Sequence, residues 1–357
     1  MDNLFVGGEF YEDHRWVSDT PVNVPDNQYF LNGGRACLRV ICNYLTTNHQ
    51  ERVLLPSYLC PSIMDIFGKF GLQFHFYNVN KDLSLDLQDI EEKSRSVDAI
   101  YFINYFGFQH KTVTIEFLKD LQFTGKILIE DNAHGGFLHP KIGDLSFCSM
   151  RKLCAYDGGY LATRKINLAP LLSPNTPTNL RLPIIREYRR RLRRYLLLGL
   201  GKRADLEKLF YQAENYYEMD QVMAGDPLEK HSIESLDWQA IKLVRRANYA
   251  YLLERIATIP QLEPIFPTLP PQIMPMGLPV YIHGVSRHAL LANLADASIS
   301  LTVHWEELAT DPRVKHLPSI KEMADSMVTL PIDQYTNEQQ LDYLVTKLKV
   351  QIARLNR

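Results

Sequence analysis

The feature that most constrains the fold is a short apolar run at residues 126–129, which ends in a Glu-Asp pair at 130–131. The run has no helical period, which indicates a buried strand of a parallel sheet. α/β sheets usually bind ligands beyond the carboxyl ends of their strands, where this pair lies. A second apolar run, at 145–149, leads to Lys152. The pattern therefore predicts neighbouring strand ends that carry Asp131 and Lys152.

An aspartate and a lysine in this arrangement are what a pyridoxal phosphate enzyme requires. The lysine amine forms a Schiff base with the cofactor aldehyde, and the carboxylate keeps the pyridine nitrogen protonated. On these two residues alone the alternative stays open, because a strand-end carboxylate is often a helix cap and a lysine after a strand is usually solvated.

Length and composition limit the remaining classes. A chain of 357 residues with 46% hydrophobic and 22% charged residues is typical of a globular protein with two domains, or one large domain with an appendage. The net charge of −2 argues against a general nucleic-acid binder. No apolar run approaches a membrane span, and the first residues do not resemble a signal peptide. We therefore expect a cytoplasmic protein without nucleic-acid or membrane partners.

The cysteines and histidines point to no metal site. The five cysteines form an odd, unpatterned set, which fits a reducing compartment better than a disulfide framework. Neither they nor the histidines fall in a metal-ligand spacing, so we expect no metal.

The order of apolar runs predicts an α/β architecture. Residues 30–165 alternate apolar runs with helical patterns, as in βα units of a mostly parallel sheet covered by helices. The pattern changes at 166–230, where prolines precede a basic helix. We predict a large domain at 1–240, with 166–230 as an atypical helical insert, and a smaller α+β domain at 241–357.

Several motifs together resemble the DegT/DnrJ/EryC1/StrS family, the sugar aminotransferases of the fold-type I pyridoxal phosphate class. The specific block comprises EDNAH at 130–134, Gly143-Asp144, Ser149, Lys152 and Asp-Gly-Gly at 157–159. Other pieces agree in order: NGGRACL (32–38), LLPSYLCPS (54–62), FINYFG (102–107), RRANY (245–249) and LPIDQ (330–334). The resemblance implies a central sheet of the seven-stranded type and the cofactor pyridoxal 5'-phosphate.

The resemblance also implies roles for individual residues. Lys152 matches the Schiff-base lysine, which also moves the proton between the substrate and cofactor carbons. Asp131 matches the partner of the pyridine nitrogen, an ion pair that should keep its carboxylate ionised. His134 matches the residue that contacts the ring hydroxyl, with a packed structural histidine as the alternative.

A phosphate site is implied at a helix start. Ser149 matches a phosphate-binding hydroxyl, and Gly34 with Arg35 matches a turn whose amides hold the phosphate. A simple helix-entry turn is the alternative there. Arg35 replaces a small hydroxyl residue and either adds a phosphate contact or points elsewhere. Asn104 contacts the ring hydroxyl or belongs to a strand-end turn.

Three departures from the family pattern leave the substrate open. Cys60 stands where an aromatic ring usually stacks on the cofactor, and Tyr58 is a candidate substitute. The interval from Lys152 to Asp157 is one residue short, and Arg151 could occupy the lysine register; we favour Lys152, because an arginine cannot act as a Schiff-base amine. The RxHG loop that often follows the Gly-Gly turn is absent.

Two further segments allow alternative interpretations. Residues 181–203 predict a helix with an apolar face and a face crowded with arginines, which is either a packed helix with a solvated basic face or an attractor of an anionic substrate or surface. The apolar face comprises Ile185, Tyr188, Leu192, Tyr195 and Leu196. His304 and Trp305 match a family tryptophan and either line the substrate entrance or pack in the core.

The preferred function is a homodimeric aminotransferase with its active site at the dimer interface. It would move an amino group from an amino acid, most naturally glutamate, to a keto group of a sugar nucleotide or related natural-product intermediate. Two alternatives remain open at this point: another pyridoxal phosphate reaction, such as elimination, decarboxylation, racemisation or carbon–carbon bond formation, and a non-catalytic relative.

Overall fold

The structure, a computed structural model, describes residues 4–25, 27–138, 140–172, 178–217 and 224–356. In these ranges the strands are β1 (Val6–Gly7), β2 (Gln28–Leu31), β3 (Arg52–Pro56), β4 (Gln73–Tyr77), β5 (Ala99–Ile103), β6 (Ile127–Asp131), β7 (Leu145–Phe147), β8 (Gly159–Thr163), β9 (Leu262–Pro264), β10 (Leu278–Ile282), β11 (Ile299–Ser300) and β12 (Met327–Leu330). The helices are α1 (Gly34–Thr47), α2 (Pro61–Lys69), α3 (Leu87–Ser94), α4 (Thr112–Phe123), α5 (Arg181–Leu198), α6 (Arg203–Tyr217), α7 (Pro227–Glu234), α8 (Trp238–Ile256), α9 (Arg287–Ala295), α10 (Ile320–Ser326) and α11 (Glu338–Leu355).

The main sheet has seven strands within the described ranges, in the order β2-β8-β7-β6-β5-β3-β4. The pairs from β4 to β7 are parallel, and β8 runs antiparallel to both β7 and β2. Strands such as β5 are buried along their whole length, as expected for parallel strands covered on both faces. The predicted α/β class with a mostly parallel central sheet is confirmed.

The register of the central strands determines where their ends lie. Ile103 pairs with Asp131, and Asp131 pairs with Phe147. The carboxyl ends of β5, β6 and β7 are therefore level, and the residues that follow them meet at one edge of the sheet.

A second, antiparallel sheet has the order β12-β10-β9. Helices α8, α9 and α11 come from the same part of the chain, and α11 contacts α8 and α9. Strand β1, near the start of the chain, pairs in parallel with β11. The predicted division between residues 240 and 241 falls inside α8, and the domain boundary stays a prediction.

The insert predicted at 166–230 contains α5, α6 and the start of α7, while 173–177 and 218–223 lie outside the described residues. The basic helix ends at Leu198 rather than continuing to 203, because Gly199 adopts a left-handed conformation that closes its last turn. Helices α7 and α8 are separate, because Asp237 caps α8 by accepting a hydrogen bond from the Ala240 N–H at 2.9 Å.

The expectation that the α5 arginines crowd a solvated face is partly wrong. Arg181 and Arg189 are buried, and both donate hydrogen bonds to the carboxylate of Asp157. Burial raises the pKa of Asp157, but the charges of Arg189 and Arg181 outweigh it, so its pKa is lowered. A hydropathy pattern cannot reveal this, because a paired arginine is tolerated where an unpaired one is not.

The described residues were considered for membrane-spanning helices, metal-binding clusters and disulfides. No helix among them is both long and apolar enough to cross a membrane. They contain no group of three or more His, Cys, Asp or Glu side chains that could hold a metal ion. The five cysteines, all within the described ranges, are free thiols.

Replacing Asp157 with asparagine should strongly destabilise the fold, because it removes the buried carboxylate that two buried guanidinium groups share. We expect a loss of about 3–5 kcal/mol in the free energy of unfolding at neutral pH, measured by urea denaturation. Since the pKa of Asp157 is lowered in the folded state, its contribution should vanish as the pH falls through that pKa.

The matched control for this substitution is Glu187→Gln. Glu187 pairs with Arg190 and Arg191 on the exposed surface of α5. Such pairs contribute little, so we expect a change within about 0.5 kcal/mol. Equal effects of the two substitutions would contradict a special role for the buried network.

Candidate functional site

A cavity of about 110 Å³ opens at the level ends of β6 and β7. Most of the residues predicted from the sequence line it: Gly34, Arg35, Cys60, Asp131, His134, Ser149, Lys152 and Trp305. The fold thus brings together side chains from five separate parts of the chain.

Asp131 is held at the end of β6 by two neutral donors. The Tyr101 hydroxyl donates to Oδ2 at 2.5 Å, and the Ala133 N–H donates to Oδ1 at 2.7 Å. Burial raises the pKa of Asp131 to about 6, against the opposing effect of these donors and of Lys152. The carboxylate is thus positioned firmly, although its burial disfavours the ionised form.

Lys152 ends a short 3-10 turn, Met150–Lys152, that follows β7. Burial, with a further contribution from the charge of Arg151, lowers the pKa of the Lys152 amine. The charges of Lys152 and Asp131 influence each other, yet no direct ion pair within 4.0 Å joins these two described residues. A buried amine with a lowered pKa is a better nucleophile than a surface lysine.

His134 is held in a neutral form. Its Nδ1 accepts a hydrogen bond from the Phe106 N–H at 3.2 Å, which places the ring proton on Nε2. Burial lowers the pKa of His134 to about 3, and the charge of Lys152 acts in the same direction. The Trp305 ring lies nearly parallel to it, with centroids 6.0 Å apart.

The start of α1 forms an anion-binding geometry beside Ser149. Gly33 is the N-cap, and no side chain caps the first turn, so its N–H groups are available at the positive end of the helix dipole. A Cβ on Gly34 would lie 3.1 Å from the Ser149 Cβ. The serine and the helix start therefore share one small space, and Arg35 lines the same cavity.

Three predicted residues lie outside the cavity lining. Tyr58 is fully buried, and its hydroxyl donates to the backbone oxygen of His304. Asn104 donates to the Glu130 carboxylate at 3.0 Å and to the Asn132 side chain at 2.6 Å. The His304 Nδ1 lies 3.0 Å from the Thr329 hydroxyl. Each contributes to the layer behind the cavity.

The sequence does not predict the contacts that Tyr101, Glu130 and Arg151 make near the cavity. The Glu130 carboxylate accepts from the backbone N–H groups of Ile142 and Gly143, at 2.8 and 2.9 Å, and so holds the loop before β7. The alternation of side chains along β5 could have revealed Tyr101, since it lies two residues before Ile103 on the same face. Nothing in the sequence marks the contact of Arg151 with distant Glu214.

The similarity of this chain to known proteins lies in its structure. No protein-family model matches the chain, and no curated protein matches it. Among solved structures, a putative sugar aminotransferase, Spr1654 from Streptococcus pneumoniae in its PMP form, superposes with a TM-score of 0.69 at 14% identity, covering 98% of this chain and 100% of its own. The chain has the fold of the sugar aminotransferases.

Two further neighbours agree with this fold. The sugar aminotransferase CalS13 from Micromonospora echinospora has a TM-score of 0.61 at 19% identity, with 91% of this chain and 87% of the other covered. A DegT DnrJ EryC1 StrS aminotransferase from Brucella abortus has a TM-score of 0.60 at 17% identity, with 90% and 85% covered. The fold implied by the sequence resemblance is therefore confirmed.

The close packing of Gly159 against the start of α1 can be tested by adding one methyl group. A Cβ on Gly159 would lie 2.5 Å from the Cys148 carbonyl oxygen and 3.0 Å from the Gly34 nitrogen. We therefore expect Gly159→Ala to reduce the free energy of unfolding by about 1–3 kcal/mol in chemical denaturation.

Gly68→Ala is the control, because Gly68 lies in α2 and a Cβ added there would have no neighbouring atom within 4 Å. There alanine should stabilise the protein by about 0.5–1 kcal/mol. A Gly159→Ala protein as stable as the wild type would show that the turn and the helix start are not tightly packed.

Proposed function

We propose that this protein is a pyridoxal 5'-phosphate-dependent aminotransferase, related to the DegT/DnrJ/EryC1/StrS enzymes. The observation that carries the proposal is that Asp131 and Lys152 face one cavity whose wall includes the uncapped start of α1. Each of these elements has a common structural explanation, but together they match three different parts of one cofactor.

The residues fit pyridoxal phosphate chemically. A carboxylate at Asp131 suits a protonated ring nitrogen, and the amine of Lys152 suits the aldehyde. The amides of the α1 start and the Ser149 hydroxyl suit a phosphate, which prefers helix N-termini. Arg35 lines the cavity near this helix start and adds a positive charge.

When bound, the cofactor supplies an aldehyde that takes up an amino group and a ring that withdraws electrons from the reacting carbon. Lys152 would hold the cofactor covalently and afterwards carry the proton to and from the substrate carbon. Burial favours its neutral amine, which is the form that can accept that proton.

Asp131 and His134 would tune the bound ring. A cationic ring nitrogen beside Asp131 would oppose the burial that raises the pKa of this carboxyl, and so keep it ionised. Neutral His134 would donate its Nε2 proton to the ring hydroxyl, because its Nδ1 is occupied by the Phe106 N–H. We propose Cys60 and Trp305 as cofactor or substrate contacts, because both line the cavity. Asn104 and Tyr58 do not line it, and their contacts with neighbouring protein groups would support the residues that do.

The proposal also covers the substrates and the oligomeric state. The neighbouring structures are named sugar aminotransferases, which supports a keto-sugar derivative as the acceptor. We propose a sugar nucleotide or a related natural-product intermediate for this acceptor and glutamate for the amino donor. We also propose a cytoplasmic homodimer with the site at its interface, as the sequence resemblance implies.

The central test is the absorption spectrum of purified protein supplied with pyridoxal phosphate. Wild type should show a long-wavelength band, lose it on adding glutamate and release 2-oxoglutarate. Lys152→Ala should lack the lysine-dependent band and any turnover, whereas Lys141→Ala, a partly buried lysine outside the cavity lining, should behave as wild type. An unchanged band in Lys152→Ala would refute the assignment.

The raised pKa of Asp131 gives a second, pH-dependent prediction. Because this carboxyl has a folded-state pKa of about 6, above its usual value, its contribution to the stability of the cofactor-free protein is greatest at low pH and is lost as the pH rises through about 6. The wild type should therefore lose stability relative to Asp131→Asn between about pH 4 and pH 7 in urea denaturation.

Pyridoxal phosphate should reduce this pH dependence in the wild type but not in Asp131→Asn, which lacks the carboxylate that pairs with the ring nitrogen. A stability difference that stays flat with pH in the cofactor-free proteins would contradict the burial of an ionisable carboxyl at this position.

A further inference from the structure

Arg151 lines the cavity together with Lys152, the residue that follows it in the chain. We propose that it binds the α-carboxylate of the amino donor and that Glu214 holds it in position for this. The inference rests on the proposed function, since it names the donor-binding group of the same site.

The position of Arg151 fits this task. It precedes Lys152 in the same 3-10 turn, and both side chains line the cavity. The side chain is 19% exposed, compared with 5% for Arg181 and 2% for Arg189, so it is the member of the arginine cluster that reaches the cavity. Ser149, which begins this turn, and the α1 start provide a separate place for a phosphate.

Glu214 determines the orientation of the Arg151 side chain. Its two carboxylate oxygens accept from Nη1 of Arg151 at 3.1 and 3.3 Å, and Oε1 also accepts from Arg181 at 2.8 Å. Burial raises the pKa of Glu214, but the two arginine charges outweigh it, so the glutamate is ionised. Because Arg181 also binds Asp157, the orientation is fixed through buried groups rather than through a flexible surface pair.

Glu214 belongs to α6, within the insert that stands where the resembled family often has its RxHG loop. The insert is anchored to the turn at Asp157 by Arg181 and Arg189. The same helices that replace a substrate loop thus reach the residue next to Lys152, which gives the insert a function in substrate binding.

Chemistry favours a donor carboxylate over a phosphate of the acceptor. In an α-amino acid the carboxylate is attached to the carbon that bears the amine, so a group that binds it must lie close to the Lys152 amine. The phosphates of a sugar nucleotide are many bonds from the reacting carbon and would bind farther away. A guanidinium also matches the planar geometry of a carboxylate in a two-point contact.

The experiment compares L-glutamate with 4-aminobutyrate, which lacks the α-carboxylate but keeps the distal one. Each donor is mixed with the cofactor-loaded protein, and the loss of the long-wavelength absorbance is followed at increasing donor concentration. Arg151→Gln should raise the glutamate concentration needed for half-maximal rate by about 10- to 100-fold and leave 4-aminobutyrate nearly unchanged. Arg151→Lys should restore part of the lost glutamate binding, because lysine returns the positive charge but not the planar two-point contact.

Two further variants separate positioning from folding. Glu214→Gln should raise the glutamate concentration needed for half-maximal rate by a smaller factor than Arg151→Gln does. Its affinity for pyridoxal phosphate should be unchanged. Arg186→Gln is the matched control, because Arg186 pairs with Asp226 and Glu229 in the same insert without lining the cavity. It should leave both donors unaffected.

Equal losses for both donors in Arg151→Gln would overturn the proposal, as would a defect seen only when a keto acceptor is added. Loss of cofactor affinity in this variant at an undiminished melting temperature would assign Arg151 to the phosphate instead, which also overturns it. Failure of the wild type to bind pyridoxal phosphate at all would reject the proposed function itself, and that outcome is recognised before any variant is compared.

Discussion

The register of three parallel strands is the constraint on which the rest of the site depends. Since Ile103, Asp131 and Phe147 pair across β5, β6 and β7, the chain segments that leave these strands start from the same level. A shift by one residue would turn Asp131 to the opposite face of the sheet and separate it from the Tyr101 hydroxyl. The burial of β5 along its whole length makes such a shift costly, because it would exchange the environments of two sets of apolar side chains.

The sequence predicted this part of the molecule well because its signals are local. An apolar run of a few residues and the carboxylate at its end act over neighbouring positions, and β6 ends at Asp131, where this pattern places it. The ends of elements are harder to predict, since a single capping contact, such as that of Asp237 between α7 and α8, determines where one helix begins.

The ion network of the insert could not be predicted for the opposite reason. Arg181 and Asp157 are 24 residues apart, and Arg151 and Glu214 are 63 apart. Pairing between charged residues so far apart leaves no periodic pattern in the sequence. An arginine-rich helix is therefore predicted to be solvated. Only the folded chain reveals that Arg189, an arginine within that pattern, is almost completely buried against Asp157. A buried charge is stable there only because its partner is buried with it.

The surroundings of buried ionisable groups therefore differ between the cavity and the insert. In the insert, each buried guanidinium meets a carboxylate, and the pKa of Asp157 is lowered. At the cavity, burial instead raises the pKa of Asp131 and lowers those of Lys152 and His134, because their protein partners are mostly neutral groups. Groups shifted toward their neutral forms in a concave site are characteristic of chemistry rather than of structural support. The insert thus places paired, buried charges next to Lys152, while the sheet edge holds side chains whose charge state would change with a charged ligand beside them.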